Sequence, residues 1–303
     1  MATLKGQNFR VLILNDGKFY VVAMSTNCTI TFTNNAEETT VKDDVGMATK
    51  QTVTSKSWQV SCESLDVTDA GAMLTAIASM QPFTLMWDET NGTSNHTPVG
   101  AAFSNVGKAF LNDVVFNFND REFSTKSLQF QGTGGITHDT QITAGEAPSA
   151  AVFTKGQFVR LFLSTDNTAA PSDVIAAAKS LSLHVSLTLE DATTKDTEGE
   201  WQIQEPTALS YDISTSALVR SGETITSQVG GKTLADIEAI YKAGTPVQWK
   251  IANVSGANNR TASSTIVSGS VILTQLTLNG PAPGQSATYE AQLAGYGAYT
   301  VAA

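Results

Sequence analysis

Apolar and polar residues alternate in short runs along most of the chain, and turn residues separate the runs. NFRVLIL (8–14) reads as a strand, Asp16-Gly17 as a tight turn and KFYVVAM (18–24) as its hairpin partner. CTITFT (28–33) and SKSWQVSCESL (55–65) alternate with period two, as half-buried strands do. Further strands are predicted at PFTLMW (82–87), KAFLNDVVFNF (108–118) and STKSLQFQG (124–132). The period changes once, over 68–80, where Met73, Leu74, Ile77 and Met80 fall on one helical face before Pro82.

The second half repeats this order. KGQNFR (5–10) returns as KGQFVR (155–160), and LSLHVSLTLE (181–190) stands for the first alternating strand. TTVKDDVG (39–46) is matched by TTKDTEG (193–199), and ALSYDISTSAL (208–218) by the Trp58 strand, with Tyr211 in the tryptophan's place. The helix returns as TLADIEAIYKAG (233–244), with Thr233 as N-cap, Leu234, Ile237, Ile240 and Tyr241 on one face, and Gly244 then Pro246 as the stop. TPVQWKI, SGANNR and GSVILTQLTLNG then follow QPFTLMW, NGTSNH and GKAFLNDVVFNF. The chain therefore reads as a tandem duplication of one mainly β unit with a single flanking α-helix: residues 1–137, a small-residue linker at 138–153, and residues 154–303.

Composition narrows the function. Of 303 residues 41% are apolar and only 15% charged, the net charge is −10, and both halves are acidic. No basic stripe is available to neutralise phosphates, so tight nucleic-acid binding is disfavoured, whereas passage of DNA along an acidic wall is not. The N-terminus carries no signal-like apolar segment and no run is long enough for a membrane span, so the expectation is a protein made in the cytosol. On that reading the five Asn-x-Ser/Thr sequons are incidental. Cys28 and Cys62 sit in strand-like runs and read as small buried hydrophobes, with a disulfide as the alternative. The histidines are too scattered for zinc.

No nucleophile elbow, P-loop or dinucleotide fingerprint is present, so the chain reads as a non-enzyme with no cofactor and no metal. GTGG at 132–135 is read as a strand-end turn. Asp43 and Asp44 beside Lys42 read as a solvated contact element, because the second copy keeps a lysine and an acid in the same loop. Trp58 and Trp87 are read as core, and Trp201, in a polar stretch, as a surface or interface aromatic. The polar stretches 34–54 and 190–207 exceed what a hairpin needs and are the candidate contacts between assembled units. Their candidate residues are Glu37, Glu38, Lys42, Asp43, Asp44, Glu190, Asp191, Lys195, Asp196 and Trp201.

LKGQNFRVLI, the TTVKDDVG to SKSWQVSCESL run and the GKAF to FQGTG close resemble the major tail tube proteins of long-tailed bacteriophages. The resemblance covers the first copy nearly end to end and the second more loosely. It implies a β-sandwich or half-barrel with a flanking helix whose sheets join side by side into a ring. Rings of the chain itself would stack into a tube that conducts DNA without binding it specifically. Tape measure, terminator and tail-tip proteins would be its partners, and the virion tail, assembled in the host cytoplasm, its location. Six tube domains per ring and two per chain imply a homotrimer with pseudo-sixfold symmetry. A hub or terminator ring, or a glycan-reading adhesin on a similar fold, stays open at this point.

Overall fold

The computed structural model describes residues 9–15, 18–21, 25–41, 49–65, 70–89, 105–138, 155–197, 199–219, 231–256, 261–280, 282 and 285–302. The first half contains β1 (Phe9–Asn15), β2 (Lys18–Val21), β3 (Ser25–Glu38), β4 (Gln51–Leu65), α1 (Ala70–Ala78), β5 (Phe83–Glu89), β6 (Asn105–Asn119) and β7 (Thr125–His138). The second begins with a 3-10 turn at Gly156–Phe158. It continues with β8 (Val159–Leu163), β9 (Asp173–Val174), β10 (Ala178–Asp191), β11 (Gln204–Leu218), α2 (Leu234–Ala243), β12 (Val247–Val254), β13 (Ala262–Asn279), β14 (Thr288–Gly295) and β15 (Thr300–Val301). The fold is mainly β, with two flanking helices on a large antiparallel sheet.

Neighbouring strands run β2-β1-β5-β6-β7-β4-β3 in the first half and β9-β8-β12-β13-β14-β11-β10 in the second. Register repeats as closely as order does. Cys28 opposes Cys62 and Phe32 opposes Trp58 in the β3–β4 ladder; 153 positions on, Leu181 opposes Thr215 and Val185 opposes Tyr211 in the β10–β11 ladder. The irregularity between Asn35 and Ala36 recurs between Thr188 and Leu189. On the closing hairpin the shift between Leu111 and Asp113 of β6 recurs between Leu273 and Gln275 of β13.

These strands form because one face of each is apolar. Along β4 the residues Trp58, Val60 and Cys62 are buried while Gln59, Ser61 and Glu63 are exposed. The helices close the apolar face. α2 carries a capping box, the Thr233 hydroxyl accepting from the Asp236 amide and the Asp236 carboxylate accepting from the Thr233 amide, and it ends at Gly244 with φ 60°. Leu74 and Ile77 of α1 and Ile237 and Ile240 of α2 are buried in a core shared by both halves. Tyr241, read from spacing as part of that face, is 48% exposed, because it lies in the last turn one position beyond the buried Ile240.

The same glycine pair sits under the same aromatic position in each half. A Cβ on Gly107 or Gly132 would lie 2.5 or 2.3 Å from the Trp58 indole, and one on Gly295 2.6 Å from the Tyr211 ring, with Gly269 3.1 Å from its hydroxyl. Trp58 Nε1 donates to the Gly134 carbonyl at 3.1 Å and Tyr211 Oη to that of Ser270 at 2.5 Å. GTGG is thus no strand-end turn: β7 runs through it to His138, and Gly134 at φ 71° makes a bulge facing the indole.

Candidate assembly surfaces

The two halves meet as one sheet. β10 pairs antiparallel with β6 on the side of β6 that β5 leaves free after Ala109, with Leu183 opposite Phe116 and Val185 opposite Val114. These four side chains are 0–2% exposed. The opposite face of the joint is polar. His184 hydrogen-bonds Asp113 of the first half through Nε2 at 2.7 Å and Asp212 through Nδ1 at 2.9 Å. Burial works against the imidazolium, but the hydrogen bonds and charges of Asp113 and Asp212 outweigh it and raise the histidine's pKa.

Gly156 of the repeated KGQ motif lies against this joint. A Cβ there would come 2.2 Å from the Asn119 carbonyl oxygen, and the Gly156 amide donates to the Glu122 carbonyl at 2.9 Å. Arg160, four residues on, is partly buried, which lowers its pKa, while the charge of Asp120 across the joint raises it. α1 covers the other side, where the Tyr299 hydroxyl donates to the Leu74 carbonyl at 2.8 Å.

The stretches expected to be long polar loops are strand at both ends. β3 and β4 pair out to Glu38 with Gln51, and β10 and β11 out to Asp191 with Gln204, leaving 39–50 and 192–203 as the connections. The strand tips are solvated on both faces, so their residues are polar throughout and show no alternation. Glu37, Glu38, Glu190, Asp191, Lys195 and Asp196 are exposed; Lys42, Asp43 and Asp44 lie outside the described residues.

Trp201 is partly buried and belongs to a lateral contact. The Lys56 amide donates to Glu200 O at 2.6 Å, the Gln202 amide to Lys56 O at 2.9 Å and the Gly134 amide to Gln202 O at 2.8 Å. Glu200 also pairs with the Lys56 ammonium at 2.6 Å. The Trp201 indole fills the space beside Gly135, where a Cβ would come within 3.1 Å. The connection of the second half therefore docks on β4 and β7 of the first. Trp58 and Trp87 are core, 5.4 Å apart between centroids. Cys62 is buried and Cys28 partly so, with their Sγ atoms 2.7 Å apart; the hydrogen bond to Cys28 and burial push the Cys62 thiol up. Among the described residues no group of His, Cys, Asp and Glu is arranged to hold a metal, and no helix is long and apolar enough to cross a membrane.

Residues 155–301 match the family model described as phage tail tube protein. The match covers just under half of the chain and relates it to phage tail tube proteins, structural components of the virion tail. No curated protein matches the chain. Among solved structures it is similar to a chain in the tail of an empty GTA particle with C6 symmetry, at 18% identity and TM-score 0.36, covering 48% of this chain and 95% of that one. It is also similar to a chain in the virion of a native gene transfer agent (GTA) particle, at 18% identity and TM-score 0.37, covering 50% of this chain and 99% of that one.

Proposed function

We propose that the chain is the tube subunit of a phage tail, contributing two tube domains, 1–137 and 154–303, joined by the 138–153 linker. Three chains close a pseudo-sixfold ring, and rings stack into the tube through which DNA leaves the capsid. The observation that carries this reading is the β6·β10 joint. It shows the sheets of the two halves running on side by side, which is how repeated units with open sheet edges protect those edges.

The polar face of the sheet is the surface turned to the lumen in this reading. Along the paired stretches of β4, β7, β6, β10, β11 and β14 its acids, Glu63, Asp113, Glu190, Glu205, Asp212 and Glu290, outnumber its one lysine, Lys108. Such a wall is acidic in balance and offers phosphates one isolated lysine per chain, too few to hold a nucleic acid, which suits transit better than binding. Negative-stain microscopy of the purified protein at high concentration, with native mass spectrometry of the rings, tests the proposal. Tubes built from three-chain rings are expected. A ring of six full-length chains, or featureless monomers at all concentrations, would overturn it.

A further inference from the structure

The joint inside the chain has a counterpart with no occupant in the described structure. β3 corresponds to β10 but pairs only with β4, and β13 corresponds to β6 but is unpaired beyond Val271 on its β12 side, where β6 receives β10. An open edge at each end of the sheet, one of each kind, is the arrangement that a head-to-tail contact between identical chains requires.

Burial says which residues that contact covers. Val185 and Phe116, at the internal joint, are fully buried. The residues at the corresponding positions, Phe32 on β3 and Leu278 on β13, are 52% and 54% exposed, among the few large exposed hydrophobics of the described chain. Their neighbours Ile30 and Leu276 correspond to the buried Leu183 and Val114 and are only partly buried. Phe32 rests on Trp87 with ring centroids 5.9 Å apart, so it is held in place with its outer side uncovered.

We infer that β3 of one chain adds to β13 of the next in the register of the internal joint, resting on the ring reading above: Ile30 opposite Leu278, Thr31 opposite Thr277, Phe32 opposite Leu276 and Thr33 opposite Gln275. The occupant is a second copy of this chain, because both edges belong to one molecule and match a joint the molecule already makes with itself. Backbone ladder bonds supply the affinity, and the four apolar side chains fix the register, since a slip of one residue would turn them to the polar face. The two joints are not equivalent. Where the internal joint has His184, Asp113 and Asp212, the joint between chains has Thr31, Gln275 and Gln59, none of which titrates.

Directly opposed residues of an antiparallel pair have Cα separations that a disulfide can bridge. In a Cys28→Ala, Cys62→Ala background, Thr31→Cys with Thr277→Cys should give covalent multimers closing at three chains on a non-reducing gel. Asn27→Cys with Thr277→Cys, four positions out of register, should not. Phe32→Lys with Leu278→Lys should lower the melting of the isolated chain only slightly, through the lost Phe32–Trp87 contact, while raising the concentration needed for assembly at least about tenfold, since lysines would then be buried in the joint. Rings or tubes by microscopy without in-register crosslinking, or equal crosslinking of both pairs, would overturn the register while leaving the ring standing. Failure of the unmodified protein to assemble at any concentration would overturn both.

Discussion

Asp113 Oδ2 on β6 lies 2.7 Å from Nε2 of His184 on β10, a charged contact at the centre of the seam between the two halves. Asp212 holds the other ring nitrogen, so the protonated ring satisfies both acids at once. Its pKa is raised in the fold, so the stabilisation it brings is fully present below the unfolded value of about 6.5 and is lost as pH rises through the folded value. Melting temperature should therefore fall between pH 5.5 and pH 8.5, and His184→Gln should flatten that dependence. An unchanged slope in the variant would show that the seam does not respond to this histidine.

The glycines under Trp58 and Tyr211 make a paired prediction. Gly132→Ala drives a methyl into the indole and Gly295→Ala one into the phenol ring, and both aromatics are buried. Each should cost about 1–3 kcal/mol in chemical denaturation, as overpacking does. A neutral outcome at either position would show that the aromatic can shift.

Gly156 tests the seam from another side. Gly156→Ala places a methyl against the Asn119 backbone, which cannot swing away as a side chain could. The expected result is a loss of about 1–3 kcal/mol together with faster hydrogen exchange at the amides of Asn119 and Leu181, the second of which lies opposite Phe118 in the joint. Destabilisation with seam exchange unchanged would mean that the glycine serves its own turn and not the joint.

The helices and the paired hairpins could be read directly from the chain, because their determinants are local. Thr233, Gly244 and the spacing of Ile237 and Ile240 define α2 without reference to anything distant. What remained out of reach depends on what lies opposite. The hairpin tips at Glu37, Glu38, Glu190 and Asp191 are strand because a partner strand holds them, yet both faces are solvated and the period-two signal vanishes. The bulge in GTGG exists because two indoles approach it, and neither Trp58 nor Trp201 is near it in sequence. Tyr241 shows the opposite error, a spacing that fits the apolar face at a position the core does not reach. The β6·β10 joint, which carries the functional reading, unites two edges each of which looks like an ordinary strand alone.

Ile77→Asp and Ile237→Asp each put an unpaired carboxylate where the native side chain is 1% exposed. Both should cost about 4 kcal/mol or more. Because α1 packs on strands of both halves, Ile77→Asp should expose apolar surface across the seam, read as dye binding before global unfolding. If Ile77→Asp melted normally, α1 would not be a structural element of the seam.

The residues at the hairpin tips separate contacts within the ring from contacts between rings. Trp201 is enclosed beside Gly135, and its neighbours Glu200 and Gln202 bond to β4 and β7, so Trp201→Ala should lower chain stability by about 1–2 kcal/mol. Lys195 and Asp196 project from the same connection into solvent, and their reversal, Lys195→Glu with Asp196→Lys, leaves every described contact in place. The reversed chain should melt like the parent and still close rings. If these tips make the contacts between stacked rings, the misplaced charges meet their own signs across the stacking interface, and elongation into tubes should require higher salt or fail. Sedimentation for rings and microscopy for tubes read the two steps apart. Tubes of normal length from the charge-reversed chain would remove Lys195 and Asp196 from the stacking surface, and short rings from Trp201→Ala at normal stability would move the tryptophan onto it.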